Sequence, residues 1–379
     1  MIQSLETHTE PRGDTGRGAI LYDFLHCQGG AERLTLDLLA DFPNADLWVG
    51  YRDRRRFPDL GSLGNRLHDL HLPARFPGGR SLLGAIGFRF LTRALASYDW
   101  ALFSGSVAVE GVHQRPQGRN LYYCHTIPRF AYDLQQDYAK RLPGLARPLF
   151  AVAAASMRYR YQKALAKMDL VIANSENIRT RLQRYLGQDA RVIHPPCDTQ
   201  QQRWLGQSDY YLSTARLEGY KRVDLLIEAF RQLPSQRLIV ASGGSDEQRL
   251  RRLAQNAPNI RFTGWLDDQR LRESIGHCIA TLYVAKDEDF GMSPVDSMAA
   301  GKPVIGVAEG GLLETIRDGE TGLLIPPPPR VETIIAAVRQ LTPARARAMR
   351  SACEQRAQAF TKAAFSARMQ QAVSEVAHA

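Results

Sequence analysis

What this chain lacks narrows its function before any motif is read. Its five cysteines, at positions 27, 124, 197, 278 and 353 of 379 residues, are scattered and form no Cys-x-x-Cys pair. A thiolate metal centre or dithiol redox site has no ligand spacing to build on, and a reducing, cytoplasmic setting is expected. Residues 1–18 are polar, with three glycines and one proline, and lack the apolar stretch of a secretory leader. The longest apolar run, about 145–157, contains Arg147 and is too short to span a bilayer. No internal repeat is visible. A soluble or membrane-peripheral protein is expected.

Charge is present in excess of one sign, and unevenly. The net charge is +10; residues 1–205 hold 27 Lys and Arg against 19 Asp and Glu, and residues 206–379 hold 22 against 20. A basic first half suits an anionic partner, such as membrane lipid, a lipid diphosphate or nucleic acid, or is simply a solvated surface.

Apolar strand-like runs alternate with helical patterns along the chain. They fall at 19–25, 46–50, 99–104, 120–124, 170–174 and 191–194, then at 210–214, 237–241, 260–263, 279–284, 303–306 and 323–325. The alternation predicts an α/β protein with parallel sheets covered by helices on both faces. About twelve strands need two such sheets. A break is expected near 194–208, where Pro195-Pro196 ends a strand and the polar run Gln200-Gln201-Gln202-Arg203 follows. The tail after Thr361 reads as a last helix, with Phe365, Met369 and Val373 at helical spacing.

The most informative run is Asp287 to Ile305. It places an acidic loop, Asp287-Glu288-Asp289, before Phe290-Gly291 and a helix start at Met292-Ser293, with a second carboxylate, Asp296, eight residues after Glu288. A helix N-terminus offers free amides and a partial positive charge, which suits a phosphate. Gly291 permits close approach to the backbone, and the carboxylates can accept hydrogen bonds from sugar or ribose hydroxyls. Arg216 and Lys221 follow the strand at 210–214, where ligands of open α/β sheets sit. They would offset charge building on a leaving diphosphate.

Other candidates surround these. Gly29-Gly30 end the first strand–helix loop and read either as a tight turn or as a bed for a phosphate or sugar; they are not the G-x-G-x-x-G dinucleotide fingerprint. His125 follows the strand at 120–124 and could bond a sugar hydroxyl or polarise a leaving oxygen. Asp268 could accept from two donors of guanine, while Asp267 reads as a helix cap. Residues 148–168 read as one amphipathic helix, with Ser156, Arg160, Lys163 and Lys167 on one face and Phe150, Met157, Tyr161, Ala164 and Met168 on another. The basic face is a candidate for lipid headgroups, as is Arg52-x-Arg54-Arg55-Arg56-Phe57; an ordinary surface helix is the alternative for the first.

Taken together, Gly29-Gly30-Ala31-Glu32-Arg33, Tyr123-Cys124-His125-Thr126, Ala173-Asn174-Ser175-Glu176, His194-Pro195-Pro196, Tyr220-Lys221-Arg222-Val223-Asp224, the 287–305 run and Glu309-Gly310-Gly311 resemble the retaining family-4 glycosyltransferases of GT-B fold. The likeness covers nearly the whole chain. It is nearest the bacterial O-antigen and exopolysaccharide mannosyltransferases. Asp296 stands where that family's Glu-x7-Glu signature has its second Glu. The resemblance implies two Rossmann-like domains facing across a cleft, with the C-terminal helix crossing back to the first. The expected division is a disordered tail at 1–18, an acceptor-binding domain at 19–205, a nucleotide-sugar-binding domain at 206–360 and the last helix at 361–379.

By the same resemblance, Glu288 and His125 would be catalytic. Arg216 and Lys221 would meet the diphosphate and Asp296 the ribose. The Leu266 backbone and Asp268 would meet the base. Phe290, Gly291, Met292 and Ser293 would complete the donor site, and Gly29 and Gly30 would lie beside phosphate and acceptor. No metal and no cofactor beyond the donor are implied. The expected reaction moves a hexose, with mannose from GDP-mannose preferred, onto a lipid-linked or saccharide acceptor in bacterial polysaccharide synthesis. It retains the anomeric configuration, and contact with an anionic membrane at its cytoplasmic face is expected as a possibility. The alternatives are a UDP-sugar-dependent transferase and a non-enzymatic basic protein that binds membrane or nucleic acid; no nucleic-acid partner is expected on the preferred reading.

Overall fold

Apolar runs too short for helices become strands buried on both faces, as parallel sheets require. The strand Trp100–Ser104 is buried at all five positions. The computed structural model describes residues 15–26, 29–73, 79–197 and 199–379. Its strands are β1 (Gly18–Leu25), β2 (Ala45–Arg52), β3 (Leu67–Asp69), β4 (Trp100–Ser104), β5 (Arg119–Cys124), β6 (Leu170–Ala173), β7 (Arg191–Val192), β8 (Tyr210–Ser213), β9 (Arg237–Val240), β10 (Ile260–Phe262), β11 (Thr281–Tyr283), β12 (Val304–Val307) and β13 (Gly322–Ile325). The helices are α1 (Gly30–Asp41), α2 (Gly79–Leu91), α3 (Gln135–Lys140), α4 (Arg147–Leu165), α5 (Glu176–Leu186), α6 (Val223–Arg231), α7 (Glu247–Leu253), α8 (Asp268–His277), α9 (Met292–Ala299), α10 (Leu312–Thr315), α11 (Val331–Gln340), α12 (Pro343–Ala348), α13 (Arg350–Ala357) and α14 (Lys362–Ala377).

Two sheets form, ordered β3-β2-β1-β4-β5-β6-β7 and β10-β9-β8-β11-β12-β13. Each reverses its winding once, between β1 and β4 and between β8 and β11. Ligands of such sheets bind outside the carboxyl ends of the strands at that reversal. All twelve expected strands are present to within two residues at either end. β3 was not expected; its three residues are half-buried and include His68, so no apolar run announces it.

The chain divides into two compact units, and the division differs from the expected 205/206 boundary. Unit 1 holds residues up to Ile172, with Tyr185–Arg191 and Ser366–Ala379; unit 2 holds Ala173–Arg184 and Val192–Phe365. Within unit 1, Ser366 Oγ donates to Asp41 Oδ2 at 2.6 Å, and Arg191 pairs with Glu375 at 2.7 Å. The expected tail at 1–18 is too long by at least two residues: Gly18 begins β1, and Arg17 is fastened to Asp46 at 2.8 Å and through its amide to Asp99 at 2.7 Å. Residues 1–14 lie outside those described. Among the described residues, no helix is long and apolar enough to cross a membrane.

In unit 1 the reversal point is pinned by a half-buried carboxylate. Asp23 on β1 accepts from the amides of Ser106, Val107 and Ala108 at 2.9, 2.9 and 2.6 Å. Gly105 lies between β4 and these amides at φ 131°, and a Cβ there would meet Asp23 Oδ1 at 2.4 Å. Glycine is the residue that tolerates both constraints.

Candidate active site

The second reversal point gathers most of the expected donor residues. β11 leaves the sheet into the loop 284–291, which ends at Gly291 with φ 97° and ψ 61°. That left-handed turn starts α9. The first amides of a helix have no intrahelical acceptor, and Pro294 has no N–H, so Met292 and Ser293 supply the outward donors. Both are half-buried, as is Asp296 one turn on. Phe290 is buried (2% exposed) and stacks on His194 with ring centroids 5.3 Å apart, so it supports the loop from within.

Glu288 is held from several directions. Lys221 Nζ donates to its Oε2 at 2.6 Å and to Tyr283 Oη at 2.8 Å. Lys221 is buried in the turn before α6, and burial alone would depress its ammonium. Tyr283 and the Glu288 carboxylate outweigh that and hold it above the ordinary lysine value, so Lys221 stays an ammonium at neutral pH. The Glu288 carbonyl accepts from Gly311 N at 2.7 Å and Asn177 Nδ2 at 2.8 Å. A Cβ on Gly310, whose φ is 62°, would lie 2.6 Å from that same oxygen. The glycine pair after β12 is thus required by backbone contact. Glu309, just before it, accepts from Arg222 at 2.5 Å and from Asp287 N at 3.2 Å.

The residues 173–184 form the rear buttress of the loop, which accounts for their place in unit 2. Arg181 Nη1 donates to Asp289 Oδ1 at 2.6 Å, and its Nη2 meets Asp287 at Oδ2 (2.7 Å) and at the carbonyl (2.6 Å). Ser175 Oγ donates to the Asp289 carbonyl at 2.6 Å. The amides opening α5, of Glu176 and Asn177, donate to Glu314 at 2.8 and 2.9 Å, and His194 reaches the same carboxylate at 3.2 Å. Sequence reasoning singled out Ala173-Asn174-Ser175-Glu176 and His194-Pro195-Pro196 without a role. Asn177, Arg181 and Glu314 it missed as support, because their partners lie more than one hundred residues away in sequence.

The remaining donor candidates lie at neighbouring strand ends of the same unit. Arg216 is exposed in the loop after β8, and among the described residues its side chain has no hydrogen bond or ion pair. Asp267 caps α8 by accepting from Arg270 N at 2.8 Å, as expected, which leaves Asp268 exposed in the first turn beside half-buried Leu266. Trp265, 68% exposed, was not singled out from sequence. Its Nε1 would lie 2.6 Å from a Cβ on Gly243, so the indole rests against bare backbone at the ends of β9 and β10. The Gly301-Lys302-Pro303 part of the run is structural. Lys302 is fully buried, sits 3.3 Å from the Trp204 ring centroid and donates to the Gly206 carbonyl; burial pushes its ammonium down to about 8.

Unit 1 holds the other candidates. His125, after β5, shares a hydrogen bond of 2.7 Å between Nε2 and Ser104 Oγ and packs edge-on against Tyr22 and Tyr123. Burial pushes it down to about 4, so at neutral pH it acts as a neutral imidazole and not as a cation. Gly29 is the N-cap of α1 in extended conformation, and Gly30 is its first residue. A groove of about 470 Å³ opens at the end of β2, lined by Arg52, Arg54, Arg55 and His71 among others. Arg52 Nε is buried there with no hydrogen-bond partner among the described residues.

These features agree with comparison to known proteins. Residues 28–201 match the description "Glycosyltransferase Family 4", and residues 198–360 match "Glycosyl transferases group 1". The chain belongs to glycosyltransferase family 4. Its relatives include the "Alpha-1,3/1,6-mannosyltransferase ALG2" of Kluyveromyces lactis, 25% identical over 76% of this chain and 69% of that protein. ALG2 of Dictyostelium discoideum is 29% identical over 32% of this chain, a match that spans about a third (35%) of that relative's length. The phosphatidyl-myo-inositol mannosyltransferase of Mycobacterium tuberculosis is 28% identical over 42% of this chain and 45% of its own. Among solved structures, sucrose-phosphate synthase of Thermosynechococcus elongatus superposes with a TM-score of 0.74 at 19% identity, covering 94% of this chain and 98% of that one. Anabaena HepE with UDP-glucose gives 0.69 at 18%, covering 94% and 99%. At such identities the structures establish the fold, two Rossmann-like α/β domains of GT-B type.

Proposed function

We propose that this glycosyltransferase is a retaining α-mannosyltransferase that takes mannose from GDP-mannose and places it on a lipid-linked or oligosaccharide acceptor in the cytoplasm of a bacterium. The observation that carries the reading is the Lys221–Glu288 salt bridge at 2.6 Å, set one loop away from the amides that open α9. Lys221 fixes the carboxylate of Glu288 for the hydroxyls of the transferred sugar. Arg216 and the Met292 and Ser293 amides bind the diphosphate and offset its charge as the glycosidic bond breaks. Asp296 accepts from the ribose, Leu266 and Asp268 meet the base, and Trp265 offers it an aromatic face. The attacking hydroxyl enters on the face the diphosphate leaves, and a diphosphate oxygen takes its proton. His125 contributes a hydrogen bond from a neutral ring, and Gly29 and Gly30, at the start of α1 after β1, lie beside phosphate and acceptor.

The GDP-mannose assignment is supported by the mannosyltransferases among the relatives and by the guanine-compatible Asp268. The lipid-linked acceptor is supported by the arginine groove, whose buried Arg52 Nε suits an anionic group. Metal independence is supported by the engagement of both aspartates of the D-x-D stretch by Arg181. A donor screen tests the reading. Purified protein is offered GDP-mannose, UDP-glucose and ADP-glucose with synthetic acceptors, with and without chelator, and the anomeric configuration of the product is read by NMR. An α-linked mannoside formed in the chelator is the expected product. Thermal shift adds an independent check: GDP at a hundred times its Kd stabilises the native state by about 2.7 kcal/mol. A preference for uridine donors overturns the donor assignment, and a β-linked product overturns retention.

A further inference from the structure

The exposed apolar surface of the described chain is concentrated in two places. Of thirteen exposed large hydrophobic side chains, ten lie in the stretches 82–91 and 138–159 of unit 1. On α2, Leu82, Leu83, Ile86 and Phe90 are 43 to 55% exposed, while Ala85 and Phe88 on the opposite side are buried. The helix is therefore apolar on both sides, whereas a surface helix carries polar residues outward. On α4 and the turn before it, Leu145, Leu149, Val152 and Tyr159 follow each other at helical spacing and are 64 to 98% exposed. Both expected faces of α4 are present, with Met157, Tyr161 and Ala164 buried and Ser156, Lys163 and Lys167 exposed; towards the N-terminus the exposed face continues as an apolar row that was not expected.

Both helices lie beside one carboxylate. Glu110, 3% exposed, accepts from Arg89 of α2 at 3.3 Å and pairs with Arg160 of α4 at 3.7 Å. The two apolar faces thus flank the same short segment, Ala108–Gln114. Their charge is of one sign. Residues 70–98 contain four arginines and residues 138–168 seven lysines and arginines, with no Asp or Glu in either stretch. A second copy of this chain in a two-fold contact would bring these cations against themselves. Apolar rows rimmed by cations fit an anionic lipid surface.

We propose that α2 and the outer face of α4 form one bilayer-docking surface, with Ile86, Phe90, Leu149 and Val152 entering the acyl boundary and Lys163, Lys167 and Arg147 meeting anionic headgroups. The inference rests on the proposed function only in that a lipid-linked acceptor gives the surface a purpose. The test is flotation of the full chain with vesicles. Wild type floats with phosphatidylcholine containing about 30% phosphatidylglycerol and not with phosphatidylcholine alone. I86E/F90E and L149E/V152E each lower the lipid-bound fraction by about tenfold or more. K163E/K167E, which changes only exposed charges, weakens binding to anionic vesicles, and R339E on unit 2, with the same charge change as L149E/V152E, leaves it unchanged. Transfer to a water-soluble acceptor and the melting temperature are followed in every variant, so loss of vesicle binding with intact transfer separates this proposal from the function proposed above. Failure of wild type to float, wild-type flotation by the variants, or a concentration-dependent dimer in place of vesicle binding overturns the proposal.

Discussion

Replacing Arg181 by methionine should cripple the enzyme although the residue touches no substrate in the proposed mechanism. Its guanidinium is 5% exposed and makes three short contacts to Asp287 and Asp289. Removing one partner of a buried ion pair costs about 3–5 kcal/mol, because the other charge remains unpaired. Here the carboxylates are 39% and 28% exposed, so water screens part of the loss. A destabilisation of about 2–3 kcal/mol is the discounted figure. The kinetic effect is separate. Arg181 fixes the residues on either side of Glu288, and a misplacement of about 1 Å at a reacting group costs on the order of a hundredfold in rate. R181M should therefore lower kcat by about 10- to 100-fold, with a smaller change in donor KM and no change in the shape of the pH profile. R181K should rescue little, since an ammonium cannot reach both aspartates as a fork. Stopped assays across donor concentration, with chemical denaturation alongside, read both quantities. An R181M protein with wild-type kcat and unchanged unfolding midpoint would refute the buttress.

Three further outcomes follow from the same geometry. E288Q should abolish transfer while E288A also lowers stability by about 2 kcal/mol or more, since both remove the charge facing the buried Lys221 ammonium but only alanine removes the acceptor oxygen as well; equal melting temperatures for E288A and wild type would refute that coupling. G310A should cost about 1–3 kcal/mol and activity together, because its φ of 62° and the 2.6 Å approach to the Glu288 carbonyl leave no room for a Cβ; a stable, active G310A protein would contradict the contact. His125 and His113 are both pushed down by burial to about 4, so as pH falls below about 6.5 the unfolded chain takes protons that the native state refuses. Stability is lost from about pH 6.5 towards 4, by at most about 3 kcal/mol for each ring, with the raised carboxyls of Asp23 and Glu110 acting in the opposite sense. Melting curves of wild type and H113N/H125N check this: the double variant should show the flatter dependence, and a wild-type curve already flat from pH 7 to 5 would overturn the sign.

How much of this was legible in the sequence depended on the range of the interaction. The strands were legible because each is a short apolar run between turn signals, and burial on both faces leaves that mark on the residues themselves. β3 left none, since Leu67–Asp69 is half-buried at an edge. The acidic loop, Gly291 and the α9 start were legible because a left-handed turn followed by free amides is a local property of six or seven residues. The two faces of α4 were legible from helical spacing, and Met157 and Tyr161 are buried while Lys163 and Lys167 are exposed. The exposed Leu149 and Val152 were not, because an apolar side chain carries no mark of whether anything covers it.

The unit boundary shows the same limit most clearly. Pro195-Pro196 and the polar run after it mark where the chain changes direction, and unit 2 does resume at Val192. Yet Ala173–Arg184 also belongs to unit 2, for reasons no local pattern contains. Ser175, Asn177 and Arg181 are an ordinary helix start in sequence, and become a buttress only because Asp287, Glu288 and Asp289 arrive behind them from more than one hundred residues away. The split falls within one helix that holds the loop 284–291. α5 begins in unit 2, where its first turn grips Glu314 and the 287–289 backbone, and ends in unit 1, where Tyr185 packs against Tyr132 at 5.6 Å between ring centroids. The hold on the Glu288 carbonyl through Asn177 thus comes from the first turn of α5, whose partners all lie in unit 2.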